Sequence, residues 1–437
     1  MPGPVSTSGV ATTADGAQPA PYRPALTLLA SLFFMWGFIT VINGTLLPHL
    51  RSVFDLSYKQ TTLLESVWFI AYFFASIPSA WLIERIGYQK SLVAGLVIMA
   101  AGALLMVPAA RIPSYGVVLT ALFVIASGIT LLQVAANPYV AVIGPPESAP
   151  ARLNLVQAFN SMGTTLAPLF GGYLILGRSV SGTSHNAVLT LQQRMEDARS
   201  VQLPYVIVAV VLIALAVVIA RFNLPSFGGG SKRAALAERK RMSLWRHRNL
   251  VFGIPAIFIY LIAEIGVGNL FINFVSAPQI GDLTHEQAAH YLFLLWGGMM
   301  VGRFVGSFVM RKISAEAVLA TAGAGAAIVM LIAATATGHV AMWALISVGL
   351  FHSIMFPTIF TLGIRGLGAL TEEGSGLLVM AIAGGALVYF QGSLADRYGL
   401  QPSFFLTVAC ELYIVFYALW GCRSTSPEAA TSAQLAE

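Results

Sequence analysis

Residues Tyr115 to Ile143 read YGVVLTALFVIASGITLLQVAANPYVAVI, without a single charged side chain. As an α-helix this stretch is about 43 Å long, more than the roughly 30 Å hydrocarbon core of a bilayer. Inside it lies Gln133-Val134-Ala135-Ala136-Asn137-Pro138, which sets two amides and a proline at membrane depth. Polar groups are costly there and mark places where something is held. Uncharged amides suit a ligand rich in hydroxyl groups.

The rest of the chain is of the same kind. Of 437 residues, 57% are hydrophobic and 10% charged, whereas a soluble protein has about a quarter of its residues charged. The sequence is that of an all-α integral membrane protein. Cys410 and Cys422 lie twelve apart in or at the end of the last apolar stretch, a poor geometry for a bridge. The first twenty residues, rich in Ser, Thr, Ala, Gly and Pro, read as a disordered tail and not as a cleaved signal peptide. Although the net charge is +6, eight of the 24 Lys and Arg residues fall between Arg221 and Arg248, a positive-inside signal that argues against nucleic acid as a partner.

At roughly 20 apolar residues per span, twelve spans are expected, near 25–48, 59–83, 88–110, 115–143, 152–176, 202–222, 252–278, 289–310, 315–336, 340–364, 375–395 and 402–422. With both termini cytoplasmic, the cytoplasmic side carries 16 Lys and Arg and the outside seven. The expected organisation is a tail (1–23), a six-helix half (24–222), a basic cytoplasmic linker (223–250), a second six-helix half (251–422) and a tail (423–437). The halves echo each other: Pro138 precedes Gly171 by 33 residues, and Pro357 precedes Gly392 by 35. Parallel repeats of six helices that rock about a midplane site are expected of the major facilitator fold.

Candidate ligand contacts in the first half are Trp36, Asn43, Gln133, Asn137, Gln157 and Asn160; in the second they are Asn269, Asn273, Trp296, His352 and Gln391. Amides match sugar hydroxyls and an indole face matches the C–H side of a pyranose. The competing reading makes any one amide a bond between neighbouring helices, and His352 a ring bonded to substrate or to another helix. Glu65, Glu264 and Glu411 are the carboxylates well inside spans. Glu65 and Glu264 are proton-site candidates, with an Arg303 ion pair as the alternative for Glu264; Glu411, in the last span, is expected to be structural. Glu84-Arg85-Ile86-Gly87 and Asp396-Arg397-Tyr398-Gly399 end two helices and read either as gates or as ordinary helix-end charge placement. No His forms a metal-ligand spacing with Cys, Asp or Glu, and no cofactor is expected.

Leu32-Phe33-Phe34-Met35-Trp36-Gly37-Phe38, Asn43-Gly44-Thr45-Leu46-Leu47-Pro48, Gln133 to Tyr139, Arg152-Leu153-Asn154-Leu155 through Phe159-Asn160-Ser161, and Ser353 to Phe360 closely resemble the fucose:proton symporter family of the major facilitator superfamily. Gln133 and Ile262-Ala263-Glu264 are most similar to its bacterial glucose/galactose transporter branch. The resemblance implies monosaccharide uptake across a bacterial inner membrane by alternating access, driven by protons or sodium, in a monomer embedded in the lipid bilayer. It also implies an Asp at the position of Gly44 and a Glu at that of Gln133, both tied to coupling, and this chain has neither. Glu65, where relatives carry Gln, is then a candidate to take over the proton. An uncoupled facilitator is the alternative. A sugar sensor would add a longer cytoplasmic segment, drug efflux sites are more apolar, and no acid–base or nucleophilic constellation supports an enzyme.

Overall fold

An unpaired backbone amide in hydrocarbon costs several kcal/mol, so spanning segments fold as helices that satisfy themselves. The structure, a computed structural model, describes residues 22–54, 58–111, 114–174, 202–222, 224–225 and 243–423, with the side chains of 22–23, 42–65, 110–111, 168–174 and 286 outside that description. The first half comprises α1 (Tyr22–Phe54), α2 (Tyr58–Ile86), α3 (Tyr88–Arg111), α4 (Tyr115–Val142), α5 (Ala149–Leu174) and α6 (Gln202–Arg221). In the second, α7 (Arg248–Val275), α8 (His285–Val309) and α9 (Ala315–Thr335) are continuous.

The last three spans are broken. The tenth consists of α10 (Gly338–His352) and α11 (Met355–Ile364), separated at Ser353-Ile354. The eleventh runs through α12 (Thr371–Met380), a 3₁₀ stretch at Ala381–Leu387 and α13 (Val388–Tyr398). In the twelfth, a short turn at Leu400–Ser403 leads into α14 (Phe405–Phe416) and a π-helical end at Tyr417–Gly421.

Among the described residues, eleven of the twelve expected spans are long and apolar enough to cross a membrane by length and composition. The described part of helix α5 is not among them: it carries Arg152, Asn154, Gln157, Asn160, Ser161, Thr164 and Thr165. A helix with that many polar groups belongs inside the bundle, and its described residues are mostly buried. It packs closely against α1, where Gly37 lies against the Asn160 carbonyl and Gly163 against the Phe34 carbonyl. Small residues at a crossing let backbones approach where lipid gives no hydrophobic drive.

Polar bonds join the two halves on one side of the bundle. Tyr88 donates to the Glu372 carboxylate (2.9 Å), Ser375 to the Val134 carbonyl (3.1 Å), Asn154 Nδ2 to Thr358 Oγ1 (3.2 Å) and Ser307 to the Ala151 carbonyl (2.9 Å). All lie toward the α1 start, the α6–α7 connection and the end of the last span, so the halves are closed on the side of the termini. Within the first half, Arg152 ties α5 to α4 by donating to the Val140 (3.2 Å) and Ala141 (2.6 Å) carbonyls at the end of α4, a cation at a helix C-terminus. Both charged motifs end their helices on a glycine of positive φ, Gly87 (82°) and Gly399 (97°).

Because a Cβ on Gly163 meets backbone, which cannot move aside, Gly163→Ala is expected to lower thermal stability in detergent by about 1–3 kcal/mol of overpacking. Gly297→Ala on α8, where a Cβ meets nothing within 4 Å, is expected to leave it unchanged or raise it. Scanning fluorimetry on the two variants gives the comparison.

Candidate functional site

Gln157, Asn160, Ser161, Thr164 and Thr165 are spaced i, i+3, i+4, i+7 and i+8 and form one stripe on α5. Four of them, Asn160, Ser161, Thr164 and Thr165, line a cavity of about 500 Å³, within the range of small-molecule sites of roughly 300–1,000 Å³. Val41 of α1 adds an apolar contact, and the facing wall is Glu264 of α7 with Leu292, Phe293, Trp296, Met299 and Arg303 of α8. One wall is therefore polar and uncharged, and the other aromatic and apolar with an acid and a base. The cavity lies on the opposite side of the inter-half bonds from the termini.

Behind the stripe is an amide cluster. Gln157 Nε2 donates to Asn137 Oδ1 at 3.5 Å, Gln133 Nε2 donates to the Tyr72 hydroxyl, and all three amides are at most 4% exposed. Asn137 Nδ2 is buried without a hydrogen-bond partner, and Asn160 Nδ2 donates to the Phe33 carbonyl at 2.9 Å. Thr164 and Thr165 both donate to the Ser161 carbonyl at 2.8 Å, which leaves their oxygens as acceptors facing the cavity.

Arg303 crosses from the second half to the first. Its Nε donates to the Ser353 carbonyl (3.0 Å), in the break between α10 and α11, while Nη1 donates to the Gln157 carbonyl (3.3 Å) and to Ser161 Oγ (2.5 Å). It is turned to those groups and makes no ion pair with Glu264. The Glu264 carboxylate instead faces the Tyr260 hydroxyl, with Arg303, His352 and Glu411 as its charged neighbours. His352 and Glu411 pair through Nε2 and Oε1 at 2.7 Å with 2% and 0% exposure, and Tyr260 donates to the His352 carbonyl at 3.0 Å. The histidine is thus bonded to the last span, and Glu411 is half of a buried imidazole–carboxyl hydrogen bond, with its Oε2 lacking a hydrogen-bond partner.

The other expected residues are dispersed. Trp36 is 8% exposed and packs on Phe33 with ring centroids 5.1 Å apart, off the cavity wall. Gln391 is buried against Gly266, with Nε2 at 3.4 Å from Thr407 Oγ1. Asn269 and Asn273 are exposed and do not line the cavity, and Glu84, Arg85, Asp396 and Arg397 are exposed at helix ends. Asn43 and Glu65 lie in helices, with side chains outside the described residues. Sequence reading missed Ser161, Thr164 and Thr165, whose signal was the helical spacing with Gln157 and Asn160, and the inter-half role of Arg303, which no spacing reveals.

The sequence pattern of the Major Facilitator Superfamily matches residues 28–388. The chain belongs to that superfamily. It is 46% identical to the glucose/galactose transporter of Brucella abortus biovar 1 (strain 9-941), over 92% of this chain and 95% of the relative. With the L-fucose-proton symporter of Escherichia coli (strain K12) it shares 35% identity over 92% of this chain and 94% of the relative. Among solved structures, a crystal structure of FucP, a superfamily transporter, in the outward conformation matches with a TM-score of 0.81 and 32% identity, covering 91% of this chain and 99% of that one. The twelve-helix arrangement of two six-helix halves described above is the fold of this superfamily.

Breaking the buried His352–Glu411 pair leaves one polar group without its partner, at a cost of about 1–3 kcal/mol and more where that group is charged, whereas removing both partners costs much less. Single variants His352→Leu and Glu411→Leu are each expected to fall by that order in thermal stability. The double variant should recover most of the loss, which a double-mutant cycle by calorimetry in detergent will measure.

Proposed function

We propose that this protein imports a hexose of the glucose/galactose type across a bacterial inner membrane by alternating access, in symport with protons. The carrying observation is a cavity with a hydroxyl- and amide-bearing stripe on one half and an indole-bearing wall on the other, closed toward the termini. The named substrates of the Brucella abortus and Escherichia coli relatives support the substrate class and the coupling. Positive-inside placement of the basic segment makes the termini side cytoplasmic. Residues 223–250 are then the cytoplasmic linker between the halves, residues 1–23 and 423–437 the cytoplasmic tails, and the state described is outward-facing.

In this reading Asn160, Ser161, Thr164 and Thr165 meet the sugar hydroxyls, and Trp296 covers the C–H face of the ring. Asn137 and Gln157 stand one layer behind, with Asn137 Nδ2 as an unused donor. Uniport remains the second reading, favoured by one observation: Gly44 and Gln133 occupy the positions where the fucose symporter resemblance implies carboxylates. In this reading the protein works as a monomer.

Uptake of radiolabelled glucose into proteoliposomes, with and without an inward proton gradient, tests this reading. Accumulation above equilibrium is expected, with galactose as the strongest competitor among galactose, fucose, mannose and N-acetylglucosamine. Equilibration indifferent to the gradient would establish a uniporter. Losing hydrogen bonds worth about 1–3 kcal/mol, Asn160→Ala and Thr164→Val are expected to raise KM for counterflow by roughly 5- to 150-fold. Trp296→Phe should raise it less than Trp296→Ala.

A further inference from the structure

A coupled cycle needs an acid that meets water on one side of the membrane and is discharged on the other. Glu264 lines the cavity among the apolar side chains of Val41, Leu292, Phe293 and Met299. The titratable and charged groups that face it are Tyr260 one turn back on α7, Arg303 from α8, His352 from α10 and Glu411 from α14. Across the cavity α5 offers Asn160, Ser161, Thr164 and Thr165 and no charge; the side chain of Glu65 on α2 lies outside the described residues. His352 and Glu411 are paired with each other, so the cation left to answer Glu264 is Arg303.

Arg303 is occupied elsewhere in this state, and by the other half. Both acceptors of its Nη1, the Gln157 carbonyl and Ser161 Oγ, belong to α5. Those bonds last only while the halves stay closed on the termini side, and parting them returns a free guanidinium edge to the second half, where Ser353 still tethers Nε. A carboxyl among apolar groups with no cation in contact is stable as the neutral acid, and a guanidinium brought to it ionises it.

We propose that Glu264 is the proton-carrying acid and Arg303 its alternating counter-ion, switched by the contact with α5. With the cavity open, Nη1 is held by Gln157 and Ser161, and the Glu264 carboxylate forms an O–H bond with a proton drawn from cavity water. When the halves part on the termini side, Nη1 turns to Glu264, the O–H bond breaks, and the proton leaves to water on that side. One proton enters and one departs per cycle, with no other reactant. The placement differs from the first-half carboxylates of the fucose symporter family, which this chain replaces by Gly44 and Gln133. It rests on the symport reading above.

The test measures sugar flux and proton flux together, in proteoliposomes loaded with a pH-sensitive dye, for the wild type, Glu264→Gln and Arg303→Lys. Wild-type protein is expected to take up protons with glucose. For Glu264→Gln, the proton signal should fall to that of vesicles without sugar at whatever sugar flux remains. Arg303→Lys, a cation without the planar fork that spans Gln157 and Ser161, should carry fewer protons per sugar than wild type. A Glu264→Gln protein with a wild-type ratio of protons to sugar would overturn the proposal while leaving symport intact. Wild-type sugar flux without protons would overturn the symport reading, and the proposal with it. Should Glu264→Gln move no sugar, infrared spectroscopy decides: the protonated-carboxyl band of the outward-facing protein is expected to disappear in this variant, and an unchanged band would refute the assignment.

Discussion

Every polar group carried into hydrocarbon has to find a partner inside the protein, and the arrangement of this bundle follows from that constraint. Among the described residues, helix α5 carries a stripe of such groups and is not apolar enough to count as a span by composition. It is enclosed by α1, α4, α8 and α11, and each neighbour satisfies or uses part of its polar stripe. Phe33 of α1 accepts from Asn160, Asn137 of α4 accepts from Gln157, Thr358 of α11 accepts from Asn154, and Ser307 of α8 donates to the Ala151 carbonyl. The groups left over, chiefly Thr164, Thr165 and the cavity face of Asn160, are those that line the cavity. A binding site is what remains once a buried polar helix has been satisfied on its other sides.

The same reasoning explains the second half. Tyr260, Glu264, Arg303, His352 and Glu411 come from four different spans and meet in one cluster, buried apart from Glu264 at the cavity wall, where each group limits what the others can do. Pairing His352 with Glu411 removes both from competition for the cavity groups. Arg303 is tethered to the Ser353 carbonyl, whose i+4 residue is Pro357 and offers no N–H, so that the carbonyl is available to a side chain. The proline and the arginine belong together: the proline interrupts the ladder between α10 and α11, and the arginine takes up the carbonyl left unpaired.

Span number, the two halves and the polar first-half helices were legible in the sequence because they depend on local composition and period. Amide positions on α4 and α5 were legible for the same reason, since Gln133, Asn137, Gln157 and Asn160 stand out against apolar neighbours. What escaped depends on partners far apart in the chain. The His352–Glu411 pair is separated by 59 residues and the Arg303–Ser161 bond by 142, and no spacing rule joins them. Asn269 and Asn273 show the converse limit: four apart on one face of α7, they stand exposed away from the cavity, because a shared helix face does not say which way that face points. The breaks in the last three spans did have local signals that the reading left unused: Pro357 follows the break at Ser353-Ile354 by one turn, Gly384-Gly385 lies in the 3₁₀ stretch, and Pro402 lies in the short turn of the last span.

Among the described residues, the four inter-half hydrogen bonds named above, with the two from Arg303, at about 1 kcal/mol each for neutral pairs and roughly 1.5–3 kcal/mol where a charge takes part, amount to several kcal/mol. Part of that is regained by water when the halves separate. A ligand bound with millimolar to micromolar affinity supplies about 4–8 kcal/mol, which is the same scale. It shifts the balance only as far as it favours one state over the other. Residues that touch both the ligand cavity and the inter-half contacts are therefore the ones through which binding can bias the closure, and Ser161 and Arg303 are such residues, lining the cavity while bonded to each other across the halves. A sugar hydroxyl that competes for Ser161 weakens the hold on Arg303 at the moment of binding, so occupancy of the cavity and release of the closed side are linked through one hydrogen bond.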